Sequence, residues 1–518
     1  MDHDNPVDFA PRETGGVGDR VAGSVTLLFL TNMLMRVMQL ATTAILARLL
    51  TPADYGLVAL ATTIAGFIDL ISNLQIGGAI MRMQDITTEH LGSAFTVNLI
   101  RSLLTAVVLA LLAQPLAIYM DDIRLAGVLY ALVPSLVIAG LNNPYLLLFA
   151  RNIDYRKQVT RGAIAVIGGS LAGIVTAIAM PSYWALIVGS LCTNLIAMVL
   201  SYWRVPGLPR LSLKKSAAFF SYGSWLILIN IIEYINGKID YVLIGKGLGS
   251  RSLGAYHVGQ QVTVMATGDI VSPLSQALMP AFSIMSTDPE RLKAGYRQVQ
   301  SLTLALALPI GFGISLLAKD TIYLLVGRQW ELAIPVIHFL APIIALQTMV
   351  ASIDSLALAT GNAPRLVLRS FIFLCVRAIL MFVGYYTGGF IGVIYARMLS
   401  GSFFLLYGLW FAARITNSQW YDPILVSWRS FLSFSVMWIA LYSGPGFLPW
   451  GDLDHDPIYT LFFLLAAKIL FGAALYVGTH FLTWKMAGFP DGSEQKLLEQ
   501  IRRITYKLST RYKVARTT

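Results

Sequence analysis

The chain has 518 residues, 56% of them hydrophobic and only 13% charged, with a mean hydropathy of +0.67. That leaves too little polar surface to cover a soluble globule, so the composition is that of a polytopic membrane protein. The net charge of +11 belongs to a membrane face set against anionic lipid, and not to a nucleic-acid-binding surface.

Residues 1–20 read as a polar cytoplasmic tail, with no short apolar core or small-residue cleavage site, so the first long helix is expected to act as the anchor. Apolar runs of the length needed to span hydrocarbon, about 20 residues, predict helices 1 to 6 at 24–46, 55–81, 94–119, 125–149, 162–180 and 183–203. Helices 7 to 12 follow at 217–245, 253–282, 299–318, 332–357, 366–386 and 390–412, and helices 13 and 14 at 426–442 and 458–479. The expected fold class is all-α integral membrane, with fourteen transmembrane helices arranged as two parallel six-helix lobes plus two C-terminal helices. The lobes take residues 21–206 and 207–416, helices 13 and 14 fall in 417–482, and 483–518 forms a basic cytoplasmic tail. Within that tail, Leu497, Ile501, Ile504 and Leu508 make an apolar stripe flanked by Arg502, Arg503, Lys507 and Arg511, the pattern of an amphipathic helix lying on anionic lipid.

Lys and Arg concentrate in the loops on the N-terminal side, among them Arg151, Arg156, Lys157, Arg161, Arg210, Lys214 and Lys215, which predicts both termini in the cytoplasm. Cys192 and Cys375 both fall inside predicted helices and offer no disulfide framework.

The two lobes repeat. "RLLTPADYGLVALATTI" after helix 1 is answered by "GKGLGSRSLGAYHVGQQV" after helix 7, aligning Gly56 with Gly254, and "MPSYWALIVG" between helices 5 and 6 is answered by "TGGFIGVIYA" between 11 and 12. Because six is even, the repeat is parallel, about an axis along the membrane normal. The linker "RVPGLPRLSLKKS", 204–216, carries Pro and Gly and suits a surface crossing between bundles that rock.

Polar residues collect on the first two helices of each lobe. Asn32, Arg36, Gln39 and Thr43 share one face of helix 1, and Thr62, Asp69 and Asn73 one face of helix 2. Helix 7 carries Asn230, Glu233, Lys238 and Asp240, and helix 8 carries Gln261 and Asp269. Unsatisfied polar groups cost several kcal/mol in hydrocarbon, so helices 1, 2, 7 and 8 are expected to line a central cavity. Arg36 reads either as a strut paired with Asp69 or as a cation for an anionic head group. Asp69, Asn73, Asn230, Glu233, Lys238, Asp240 and Asp269 are cavity or ion-coupling candidates, with a structural partner an equal reading for Asp240 and Asp269. Arg101, Arg377 and Lys468 read as snorkelling or bundle-packing residues, His338 as structural, and Asp121 and Asp122 as a solvated helix end. No metal-ligand spacing, phosphate loop or catalytic constellation is present, so neither an enzyme nor a bound cofactor is expected.

The segments "ILARLLTPADYGLVALATTI", "NGKIDYVLIGKGLGSRSLGAYHVGQQV", "PLSQALMPAFSIM" and "LVGRQWELAIPVI" resemble the polysaccharide transporter family, Wzx-type flippases of the superfamily that also holds multidrug and toxin extruders and lipid II flippases. The resemblance covers residues 21–415 and is carried by Asp240, Gly245, Gly249, Gly254 and Tyr256 and by Gly327 and Trp330; helices 13 and 14 carry no motif of it. It implies a protein of the bacterial inner membrane that flips an undecaprenyl-pyrophosphate-linked oligosaccharide to the periplasmic leaflet by alternating access. Its partners would then be that lipid-linked oligosaccharide, membrane lipids and the polysaccharide polymerase or export machinery. The resemblance also implies that Arg36 meets the pyrophosphate, with Asn32 and Gln39 beside it and Arg48 and Arg82 assisting entry or exit. Two other readings remain at this stage. One is a cation-coupled small-molecule exporter using Asp69, Asp240 or Asp269; the other is a membrane polysaccharide polymerase or glycosyltransferase.

Overall fold

The computed structural model describes residues 17–488 apart from 74, 84, 152–155, 204, 206, 217–218, 220–223 and 443–457. The expected surface helix at 494–513 and the loop 443–457 lie outside the described residues.

Thr51 caps the second helix through a reciprocal bond with Asp54, with Pro52 at its first position, so the chain leaves α1 (Val17–Leu49) and enters α2 (Pro52–Ser72) in a tight turn. Next come α3 (Ile76–Arg82), α4 (Thr88–Tyr119), α5 (Arg124–Gly140), α6 (Leu146–Arg151), α7 (Arg156–Ala179) and α8 (Trp184–Ser201). The second half runs through α9 (Ser224–Met285), α10 (Pro289–Leu316), α11 (Ala318–Leu325), a 3-10 turn (Arg328–Ala333), α12 (Ile334–Ala359) and α13 (Ala363–Thr416). Short α14 (Asp422–Val426), α15 (Trp428–Tyr442) and α16 (Ile458–Met486) close the described chain. Eight described helical segments are long and apolar enough to cross a membrane. Large apolar side chains such as Leu111 (72% exposed) and Leu470 (70% exposed) remain uncovered, which in a bilayer places them against lipid.

α9 and α13 each hold two of the expected helices, joined at a non-helical glycine. They bend at Gly249 (φ 81°) and Gly389 (φ 53°), backbone angles that a side chain would oppose. Two expected helices are instead broken. The run 55–81 stops at Ser72 and restarts at Ile76, with Gln75 at φ 52° between. The run 125–149 stops at Gly140 and restarts at Leu146, because Asn142, Asn143 and Pro144 cannot continue it.

The chain divides into two compact units. The first comprises the chain up to Val258 with Leu325–Ala333 and Ser370–Val393; the second comprises Gly259–Leu324, Ile334–Arg369 and the chain from Ile394. In the second, Leu278, Phe282, Leu304, Leu308, Ile353 and Leu409 belong to one apolar core, and Lys468 on α16 pairs with Asp320 on α11 at 2.7 Å, both nearly buried. In the first, α2 and the first arm of α9 run antiparallel. Leu60 meets Gly245, and the Tyr234 hydroxyl donates to the Thr63 carbonyl at 2.7 Å. At the Thr51 end the approach becomes reciprocal: a Cβ on Gly56 would lie 1.7 Å from the Ser250 carbonyl oxygen, and one on Gly254 would lie 1.7 Å from that of Pro52. Pairs that exchange roles in this way mark a local two-fold relation, as the repeat requires. Beside it, Trp330 is fully buried and its indole N–H donates to the Ala47 carbonyl at 2.8 Å, while Gln329 Nε2 donates to the carbonyls of Ala47 (2.6 Å) and Leu50 (3.1 Å). These two side chains satisfy carbonyls that the end of α1 leaves open.

The linker is not a free crossing. Ser212 N–H donates to Thr96 Oγ1 (2.9 Å), Lys215 N–H to Ser93 Oγ (3.1 Å), and Lys214 pairs with Glu89 (2.8 Å), so it lies bound along the start of α4.

Gly254→Ala should cost about 1–3 kcal/mol of overpacking, because the atom it meets is backbone and cannot rotate away. The expected result is a lower melting temperature in detergent, whereas Ala at Gly237, where no atom lies within 4 Å of the added Cβ, should leave it unchanged.

Candidate functional site

The stripe expected on helix 7 is the first arm of α9, and its groups sit at different depths. Glu233 is exposed and accepts the Ser370 hydroxyl; Asn236 is buried and donates to the Ser370 carbonyl at 3.2 Å. The Lys238 ammonium lies 3.9 Å from the centre of the Tyr241 ring, a cation–π contact. Asp240 has no exposed surface. Its Oδ2 accepts the Tyr256 hydroxyl at 2.5 Å and Arg377 Nη2 at 3.0 Å, and Arg377 is itself 2% exposed. Asn230 is half-buried, and the Asp269 side chain lies outside the described residues.

On α1, Arg36 and Gln39 are exposed, while the side chains of Asn32 and, on α3, Arg82 lie outside the described residues. Arg48 directs Nε to the Leu325 carbonyl at 3.4 Å. The expected pairing of Arg36 with Asp69 is corrected: Asp69 takes Arg101 of α4, with Arg101 Nη1 at 2.7 Å from Oδ1, and Arg101 also donates to Ser72 Oγ at 3.0 Å. α4 packs beside α2, so its arginine reaches the carboxylate directly. Asn73 ends α2, and its Oδ1 accepts the Gln75 N–H at 3.0 Å.

Of the two readings for Arg101, Arg377 and Lys468, snorkelling or bundle packing, the contacts favour packing, since each is held by a carboxylate: Asp69, Asp240 and Asp320. Arg377 and Lys468 are too deeply buried to reach water, and a charge in that position must be neutralised locally. Asp121 and Asp122 are also more than a solvated end, for Asp121 pairs with Lys246 and Asp122 with Arg124. His338 is exposed, and its Nδ1 sits 3.1 Å from the Ser315 carbonyl.

Sequence reading missed the partners. Asp240 and Arg377 are separated by 137 residues, and only their burial shows that they belong together. A signal was present in that Arg101, Arg377 and Lys468 stand as isolated charges in otherwise apolar helices.

Arg377→Leu leaves the buried Asp240 carboxylate uncompensated, a loss of about 3–5 kcal/mol, and should strip folded protein from the membrane. Adding Asp240→Asn should restore much of it. The check is the monodisperse peak of the detergent-solubilised protein in each variant.

The family model described as "Polysaccharide biosynthesis protein" matches residues 45–335, more than half of the chain. The chain is similar to a membrane protein of the cps region of Klebsiella pneumoniae, 22% identical over 445 residues, which are 85% of this chain and 90% of that one. It is also similar to the succinoglycan biosynthesis transport protein ExoT of Rhizobium meliloti, 27% identical over 309 residues, 59% of this chain and 62% of that one. Among solved structures it is similar to the lipid II flippase MurJ in an inward closed conformation, with a TM-score of 0.71 and 14% identity, covering 89% of this chain and 99% of that one. At that identity the likeness is one of fold, and with the family match it makes this chain an all-α, multi-pass membrane protein that belongs to the polysaccharide biosynthesis protein family.

Proposed function

We propose that this chain is a flippase, not an enzyme, that carries an undecaprenyl-pyrophosphate-linked oligosaccharide from the cytoplasmic to the periplasmic leaflet of a bacterial inner membrane. The observation that carries the reading is a polysaccharide biosynthesis family match on a chain with the fold of a lipid II flippase. The product would feed the polymerase and export machinery of an extracellular, capsular or lipopolysaccharide polymer, and both termini would face the cytoplasm.

In this reading Arg36 meets the pyrophosphate in transit. It is exposed on α1 on the same face as Gln39, and a guanidinium remains charged and grips a phosphate with two parallel hydrogen bonds. Arg48 and Arg82 serve entry and exit. Outward movement of one negative charge across an inside-negative membrane gains about 2.3 kcal/mol per 100 mV, so the potential favours export. Against a cation-coupled exporter, two of its candidate carboxylates, Asp240 and Asp69, are neutralised by Arg377 and Arg101.

Deletion of the gene should abolish the polymer and leave its lipid-linked repeat unit on the cytoplasmic side, detectable by lipid extraction and mass spectrometry. An intact polymer in the deletion strain would overturn the reading. Arg36→Ala should reproduce the loss at an unchanged protein level in the membrane, with Arg36→Lys restoring part of the export because an ammonium lacks the bidentate geometry.

A further inference from the structure

The first unit contains a cavity of about 300 Å³ to which, among the described residues, the expected polar stripes contribute only Asn73. It forms where the two expected helices break. Asn73 and Gln75 contribute from the α2–α3 break and Asn142, Asn143 and Pro144 from the α5–α6 break, with α4 and α7 completing the wall and, among the described residues, none from α1 or α9. Its volume sits at the lower end of ligand pockets, about 300–1,000 Å³.

Among the described residues the lining contains two arginines and five side-chain amides but no carboxylate. Much of this hydrogen-bonding capacity is already spent within the protein, and donors are what remain. Arg101 uses Nε on Asn98 and Nη1 on Asp69 and Ser72, leaving Nη2 with no partner among the described residues. Arg161 uses Nε on the Ala197 carbonyl (2.6 Å) and Nη2 on Asn142 Oδ1, leaving Nη1 in the same condition. Asn73 has committed its oxygen to the Gln75 N–H but not its Nδ2, and the Gln75 side-chain amide bonds no described residue.

The charges are unequal. Arg101 is balanced by Asp69, whereas Arg161 is met only by neutral oxygens among the described residues. Arg161 therefore brings a charge that no described carboxylate meets to a cavity rich in unspent donors.

We propose that this cavity binds a phosphate or pyrophosphate group through Arg161, Arg101, Asn73 and Gln75. On the flippase reading, from which the lipid-borne source follows, it is a docking place for the diphosphate of the lipid-linked saccharide, separate from the face that carries Arg36. Donors in excess of acceptors, with one uncompensated guanidinium, match an oxyanion better than a neutral sugar, whose hydroxyls need acceptors as well.

The test uses the purified full chain in nanodiscs of neutral lipid, titrated with inorganic pyrophosphate or loaded with undecaprenyl pyrophosphate, and reads ligand-induced thermal stabilisation. Wild type should bind saturably. Arg161→Gln and Gln75→Glu should each weaken binding by about tenfold or more, and Gln75→Lys should strengthen it. Because the Gln75 side chain bonds no described residue, its two variants should fold as wild type does, which their melting without ligand verifies. Stabilisation by the lipid probe assigns the site to the head group, and stabilisation by inorganic pyrophosphate alone to a free anion. Failure of wild type to bind either probe, or equal affinity across the Gln75 series, overturns the proposal. The flippase reading fails by a different result, an intact polymer in the deletion strain.

Discussion

A carboxylate with no exposed surface in a membrane bundle must be neutralised by the protein itself, and the pairing of Asp240 with Arg377 is the constraint around which the first unit is organised. It ties the first arm of α9 to the first arm of α13, and Tyr256, beyond the bend of α9, donates to the same carboxylate oxygen. The position of Gly249 follows from this. The chain must reverse between Asp240 and Tyr256 within a few residues, and a left-handed glycine permits it. Gly254 then brings the returning backbone against Pro52, and Trp330 closes the end of α1. The residues that carry the family resemblance are thus the residues that shape one end of this unit. They specify a fold, and substrate contacts must be sought elsewhere.

The interrupted helices illustrate the same requirement for backbone. Breaking a helix in or near hydrocarbon frees N–H and C=O groups that water does not reach, so each break is acceptable only where side chains take those bonds. At the α5–α6 break, Tyr202 donates to the Leu141 carbonyl (2.6 Å), Asn143 N–H reaches Ser201 Oγ (3.0 Å) and Asn98 Nδ2 reaches the Gly140 carbonyl (3.3 Å). At the α2–α3 break, Asn73 accepts the Gln75 N–H. The amides gathered there repair the backbone, and the donors left over after that repair give the cavity its preference for an anion.

Charge is accordingly divided into two classes. Arg377, Arg369 and Lys468 are buried or nearly so and paired with carboxylates, which fixes packing and leaves little charge for a ligand. Arg36 is exposed on α1, and Arg161 is half-buried against neutral oxygens. On the flippase reading, moving one of the buried, paired arginines to a pyrophosphate would leave its carboxylate bare, which points the path to Arg36 and Arg161.

Composition and the length of the apolar runs were enough to establish a helical membrane protein, because hydrocarbon thickness and the need to satisfy every backbone group act locally and leave a direct imprint on sequence. The repeat was legible for the same reason, and Gly56 and Gly254, matched as letters, meet each other's neighbours in space. The breaks at Asn73–Gln75 and Asn142–Pro144 were less legible, since the apolar runs on either side read as continuous although Asn-Asn-Pro is a turn signal. Which charge pairs with which was not legible at all. Asp69 chose Arg101 over Arg36, and Asp240 found Arg377 across 137 residues. Helical periodicity gives the face on which a residue lies, but pairing depends on which helices become neighbours and at what depth, and only the tertiary structure decides that.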